Sequence, residues 1–177
     1  ANNKRVQALG SAKNHMVIMP DADIDQATDA LIGAAYGSAG ERCMAISVAV
    51  AVGDVADKLI ENIKPKINNI KVGPYNDKHS DMGPVVSKEA FERINGLIDT
   101  GVSDGAELIL DGRNIKLQGY EEGYFIGPCL FDKVNDSMKI YKEEIFGPVL
   151  SVVRKNTYEE ALRLLKENKY GNGCSIF

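Results

Sequence analysis

Cys43 is the residue of this sequence whose surroundings best suit nucleophilic chemistry. It follows Gly37, Gly40 and Arg42 and stands just before an apolar run. The glycines allow the backbone to bend and a ligand to approach closely, and a neighbouring guanidinium lowers a thiol pKa and raises its thiolate fraction. A loop beside a buried strand can hold such a thiolate rigidly. The alternative is that Cys43 fills the core, which is the commoner place for a cysteine between a helix and a strand.

The other two cysteines, Cys129 and Cys174, have no such neighbours and are predicted to be small core residues. Because the three cysteines are widely spaced and odd in number, a disulfide framework is not expected and a reducing cytoplasm is favoured. His15 and His79 are isolated from the cysteines and from each other, which predicts no metal site. A cysteine–histidine hydrolase stays open, since the members of a triad can be distant in sequence.

A second group with chemical potential is the stretch "YKEEIFGPVL", residues 141–150. One of its two carboxylates could accept hydrogen bonds from hydroxyl groups, as sugar recognition requires. Phe146 could offer an aromatic face to a flat ring. The alternative is a charged loop that enters a strand through a Gly-Pro turn.

The elements that must position these residues alternate between strand and helix, which indicates an α/β fold. Apolar β-rich runs predict strands at 15–20, 45–52, 106–110, 129–134 and 148–153, with a further short one at 70–72 and another beginning near 171. Capping residues and helical spacing predict helices from the acids at 21–25 to Gly37, over 54–67, from Ser87 to about 98 and from Thr157 to about 168. We therefore predict one α/β domain over residues 1–177, a sheet covered by helices, from a longer enzyme.

Composition excludes several classes of protein. The net charge is −4, so no basic surface for nucleic acid or anionic membrane is expected. The longest apolar run, at 45–52, is far shorter than the roughly 20 residues that span a bilayer. The first ten residues show no targeting pattern, which agrees with a cytoplasmic protein.

Several motifs together carry a resemblance to a known family. They are "KNHMVIMPDADID", "GERCMA", "MGPVVS", "GYFIGPCLFD", "EEIFGPVL" and "YGNGCSIF", in this order over nearly the whole chain. The chain thereby resembles an aldehyde dehydrogenase. The combination of "ALGSAKNHMVIMPDAD" with "GERCMA" resembles the CoA-acylating methylmalonate-semialdehyde dehydrogenase branch of that family.

The resemblance implies a role for each candidate residue. Cys43 matches the family's nucleophile, Glu144 the acid that hydrogen-bonds the nicotinamide ribose, and Phe146 the aromatic residue near the nicotinamide. In this branch the substrate carries a carboxylate, which Arg42 could hold in a charge-assisted pair. The alternative for Arg42 is a pair with Glu41 or a surface acid.

The resemblance also implies a fold and a reaction. The fold is the aldehyde-dehydrogenase catalytic domain, here lacking the NAD-binding Rossmann-like domain. The reaction converts methylmalonate or malonate semialdehyde to propanoyl-CoA or acetyl-CoA, with NAD reduction and loss of carbon dioxide, in valine or inositol catabolism. The family's assemblies are dimers or tetramers, which implies a homo-oligomeric parent. The isolated chain is expected to be nearly inactive.

One departure from the family pattern indicates that the acyl group is transferred to CoA rather than to water. Ala8 stands where hydrolytic members carry a glutamate that helps to activate water. A thioester without this base would persist until CoA attacks it. Two other functions stay open: a hydrolytic NAD(P)-dependent aldehyde dehydrogenase, and a non-catalytic α/β domain for subunit association.

Overall fold

The computed structural model describes Asn3, Arg5 and residues 10–177, and within them the chain forms one six-stranded sheet with helices. The strands are β1 (Asn14–Ile18), β2 (Ile46–Val52), β3 (Glu107–Leu110), β4 (Cys129–Val134), β5 (Val149–Lys155) and β6 (Cys174–Ile176). The α-helices are α1 (Ile24–Tyr36), α2 (Val55–Asn68), α3 (Lys88–Ser103), α4 (Lys139–Lys142) and α5 (Tyr158–Glu167). A 3₁₀ turn at Gly37–Gly40 follows α1. The α/β class predicted from the sequence is confirmed.

The strand order across the sheet is β3-β4-β5-β2-β1-β6. All neighbouring pairs are parallel except β3 with β4, which is antiparallel. The central strands are buried on both faces, which explains why their sequences are apolar throughout rather than alternating. Parallel neighbours also have their amino ends at the same edge, so the residues that precede β5, β2, β1 and β6 meet there.

Side-chain caps begin three of the helices as their sequences predict. Asp23 accepts a hydrogen bond from Gln26 N, Ser87 from Ala90 N, and Thr157 from Glu160 N. Each cap satisfies a backbone N–H that has no partner within its helix. The helix starts are therefore fixed by local chemistry.

One local prediction was wrong, and one short helix was not predicted. Residues 70–72 do not form a strand of the sheet; Val72 makes only an isolated bridge to Met82. The short helix α4 was not predicted, because four residues show too little periodicity to be recognised. Among the residues that the structure describes, no helix has the length and apolar character needed to cross a bilayer.

Candidate active site

The candidate site lies at the amino edge of the sheet, where loops before four parallel strands converge. Cys43 precedes β2, Glu144 and Phe146 precede β5, Asn14 begins β1, and Asn172 precedes β6. A small cleft here brings together all four sequence-predicted site residues. It is lined by Ala12, Asn14, Ala35, Gly40, Arg42, Cys43, Ala45, Ile46, Ser47, Glu144, Ile145, Phe146 and Gly147.

The loop that carries Cys43 reaches the cleft through an unusual backbone path. Ser38 and Ala39 have φ of 53° and Gly40 has φ of 69°, so three successive residues are left-handed. Gly40 packs so closely on Gly147 that a Cβ would stand 2.1 Å from the Gly147 carbonyl oxygen. Only glycine permits this approach, and it brings the Cys43 loop against the loop of Phe146.

Cys43 is exposed, so the alternative that it fills the core is excluded. Its carbonyl oxygen accepts hydrogen bonds from the Asn14 side-chain amide at 2.9 Å and the Asn172 amide at 2.7 Å. Cys129 is buried as predicted, and burial raises the pKa of its thiol to about 11. Cys174 was predicted to be a core residue but is exposed, because β6 is an edge strand. Partial burial nevertheless raises the pKa of its thiol.

Arg42 lies beside the cleft with an exposed side chain. Its Nη2 donates to the Gly33 carbonyl at 2.5 Å, in the last turn of α1. A cation is favourable at this end of a helix, where free carbonyls carry partial negative charge. Within the described residues Arg42 forms no salt bridge, so neither Glu41 nor a surface acid pairs with it there. Its contact with substrate stays a prediction.

Glu144 is half-buried and is held from two directions. Its Oε1 accepts a hydrogen bond from Ala12 N at 3.1 Å, and its backbone carbonyl accepts one from Arg93 Nη1 at 3.1 Å. Phe146 has φ of 48°, a left-handed conformation that costs a non-glycine residue about 1–3 kcal/mol. The surrounding contacts thus hold Phe146 at the cleft against its backbone preference.

A buried lysine supports the same loop. Lys13 Nζ donates to the carbonyls of Ile140 and Glu143, each at 2.8 Å. Burial lowers the pKa of the ammonium to about 7, although the nearby Glu144 and Glu143 carboxylates oppose the shift. Lys13 therefore fixes the backbone just before Glu144 and carries an unusually weakly held proton.

Sequence reasoning missed Lys13, Asn14 and Asn172 as supports of the site. One signal was present for Lys13 and Asn14, since this polar pair stands where the apolar strand β1 begins. The structure buries both residues almost fully. Buried polar groups need partners, so such a pair indicates a hydrogen-bonded anchor. No group of three or more His, Cys, Asp or Glu suited to a metal ion occurs among residues 3, 5 and 10–177.

Comparisons with known proteins agree with the resemblance in the sequence. A family model described as "Aldehyde dehydrogenase family" matches residues 1–177. The malonate-semialdehyde dehydrogenase of Pseudomonas aeruginosa is 59% identical over 98% of this chain and 35% of its own length. The rat mitochondrial methylmalonate-semialdehyde/malonate-semialdehyde dehydrogenase [acylating] is 48% identical over 99% of this chain and 33% of its own length.

Solved structures show the same fold. A Sinorhizobium meliloti 1021 structure complexed with NAD superimposes with a TM-score of 0.96 at 63% identity, covering 99% of this chain and 36% of that one. The methylmalonate-semialdehyde dehydrogenase DddC from Oceanimonas doudoroffii gives 0.95 at 50% identity, with the same coverage of both chains. The chain thus spans about a third of the length of these relatives.

Proposed function

The chain belongs to the aldehyde dehydrogenase family, and on that premise we propose that it forms the nucleophile-bearing domain of an NAD-dependent, CoA-acylating dehydrogenase. Its substrates are methylmalonate and malonate semialdehyde, as in valine or inositol catabolism. The observation that carries the proposal is the cleft that joins exposed Cys43 to Glu144 and Phe146. The high identity to semialdehyde dehydrogenases supports the choice of substrate.

Cys43 begins the proposed reaction. Its thiolate attacks the aldehyde carbon and forms a thiohemiacetal, which becomes a thioester on Cys43 after loss of hydride. The negative charge that develops on the substrate oxygen requires preorganised donors, and the backbone N–H of Cys43 can supply one of them. Arg42, beside the nucleophile, would hold the substrate carboxylate through a charge-assisted hydrogen bond.

Two residues of the cleft would hold the nicotinamide riboside end of NAD, which accepts hydride when bound. Glu144 Oε1 is occupied by Ala12 N, whereas no donor among the described residues reaches Oε2. That oxygen is therefore suited to accept a hydrogen bond from a ribose hydroxyl. The ring of Phe146 lines the same cleft and offers a flat apolar surface for the nicotinamide.

The bond between the carboxylate and the α-carbon then breaks, so that carbon dioxide leaves and the α-carbon takes up a proton. The CoA thiol attacks the thioester carbonyl and expels the Cys43 thiolate, which gives propanoyl-CoA or acetyl-CoA. Thiolysis is favoured over hydrolysis by Ala8, which provides no base to activate water. Ala8 lies outside the residues that the structure describes, so its support for CoA comes from the sequence alone. A hydrolytic dehydrogenase is the competing proposal.

The full-length parent distinguishes these functions directly. Incubated with each semialdehyde and NAD, it should form NADH rapidly only when CoA is present, and Cys43→Ser should abolish the reaction. Full turnover without CoA would support the hydrolytic enzyme. A parent that oxidises neither semialdehyde but still assembles would favour a subunit-association role. We also propose that the parent is cytoplasmic and forms a dimer or tetramer. Light scattering, which gives the molar mass in solution, measures the oligomeric state.

A further inference from the structure

The carbonyl oxygen of Cys43 accepts hydrogen bonds from two side-chain amides in separate parts of the chain. Asn14 Nδ2 donates at 2.9 Å from the start of β1, and Asn172 Nδ2 donates at 2.7 Å from the segment before β6. A carbonyl oxygen has two lone pairs, so these contacts use its full capacity. The peptide that follows the nucleophile is thus held on both sides.

Asn14 extends this hold to the whole turn. Its Nδ2 also donates to the Ala45 carbonyl at 2.9 Å, so both amide hydrogens are used on the same short segment. Ala45 N donates to the Arg42 carbonyl at 3.0 Å and closes the turn. The pairing of β1 with β2 shifts register just after Asn14, and the side chain supplies hydrogen bonds at this irregularity.

Asn172 differs from Asn14 in its surroundings. Asn14 is 2% exposed, whereas Asn172 is an exposed residue. An exposed amide can bond water at little cost, so folding gains little from directing it to the Cys43 carbonyl. The contact is better explained by its effect on Cys43 than by its contribution to stability.

We propose that Asn14 and Asn172 are positioning residues that clamp the Cys43 carbonyl and so hold the thiol in its reactive orientation. This proposal rests on the function proposed above, in which Cys43 attacks the aldehyde. A loop nucleophile gains most from such a hold, because a displacement of about 1 Å can cost about 100-fold in rate. Neither asparagine needs to touch the substrate.

Asn172 is the better residue to substitute, because it is exposed and its replacement should not disturb the fold. In the full-length parent, Asn172→Asp keeps the shape of the side chain but removes the amide donor. Asn172→Ala removes the donor and the rest of the side chain beyond Cβ. Asn168→Ala is the matched control. Asn168 lies in the same segment and donates to Tyr141 Oη at 3.1 Å, but it does not line the cleft.

Two measurements are made on each variant: steady-state kinetics with malonate semialdehyde, and hydrogen exchange of the peptide that spans residues 41–46. Both Asn172 variants should lower kcat by about tenfold to 100-fold, leave KM and NAD affinity near wild type, and speed exchange of the peptide. Asn168→Ala should leave all of these unchanged.

The proposal would be overturned if the 41–46 peptide of Asn172→Asp exchanged hydrogen at the wild-type rate. It would also be overturned if Asn168→Ala lowered kcat as much as the Asn172 variants do. Faster exchange with wild-type kcat would also overturn it, because the loop would then be held without positioning the thiol. A wild-type parent that oxidises no semialdehyde would instead refute the proposed function.

Discussion

Gly40→Ala tests whether the close approach of two backbones sets up the cleft. An alanine at φ of 69° costs about 1–2 kcal/mol for its left-handed conformation. Its Cβ would also stand 2.1 Å from the Gly147 carbonyl oxygen, whereas real Cβ atoms essentially never come within 3.0 Å. The two loops must therefore separate by about 0.9 Å, the difference between these distances. We expect a loss of at least about 2 kcal/mol in stability once this packing is disturbed.

The functional loss should exceed what the change in stability explains. A separation of about 0.9 Å moves Cys43 relative to the loop of Phe146, and a shift of this size can cost about 100-fold in kcat/KM. The assay is semialdehyde oxidation by the full-length parent well below its melting temperature. Gly96→Ala is the matched control, because Gly96 lies inside α3 with nothing within 4 Å of a new Cβ. It should raise stability by about 0.5–1 kcal/mol and leave activity unchanged. Wild-type activity and melting temperature in Gly40→Ala would refute this account of the cleft.

Three further predictions concern thiol reactivity, substrate binding and acid stability. Iodoacetamide at neutral pH should label Cys43 first and Cys129 last, because burial raises the thiol pKa of Cys129 to about 11 and also raises that of Cys174. Mass spectrometry that finds Cys129 or Cys174 labelled before Cys43 would contradict this. Arg42→Leu should weaken binding of methylmalonate semialdehyde by about 1.5–3 kcal/mol, seen in KM, and leave propanal nearly unaffected; equal losses would mean that Arg42 does not contact the carboxylate. Burial lowers the pKa of His15 to about 4 from 6.5, so the unfolded chain binds more protons between these pH values and stability falls as pH drops through this window. His15→Phe should reduce this acid sensitivity by up to about 3 kcal/mol, and melting curves of equal pH dependence in both proteins would argue against it.

Much of the secondary structure could be predicted because its determinants are local. Asp23, Ser87 and Thr157 each accept a hydrogen bond from an N–H three residues later, within reach of any sequence pattern. The register irregularity at β1 and the edge position of β6 depend instead on which strands become neighbours. No local periodicity encodes that order, which is why Cys174 was misplaced in the core.

The site shows the same division. Cys43 was singled out by its sequence neighbours, and Glu144 and Phe146 received their predicted roles from the family resemblance; the structure brings all three to one cleft. Asn172 could not be found in this way. It is an exposed polar residue in a glycine-rich stretch, and its hydrogen bond to Cys43 spans 129 positions of the sequence. Such a partner becomes visible only when β6 is placed beside β1.

That separation of 129 positions also affects the Cys43 loop while the chain is being synthesised. Chains are synthesised from the amino terminus at about 5–20 residues per second, so Asn172 is added roughly 6–26 s after Cys43. During this interval the loop has only the hydrogen bonds supplied by earlier residues. The second amide arrives when the segment before β6 emerges and the strand docks against β1. If Asn172 positions Cys43 as proposed, the thiol of a nascent chain is held less firmly than that of the finished protein and reaches its full reactivity only late in synthesis.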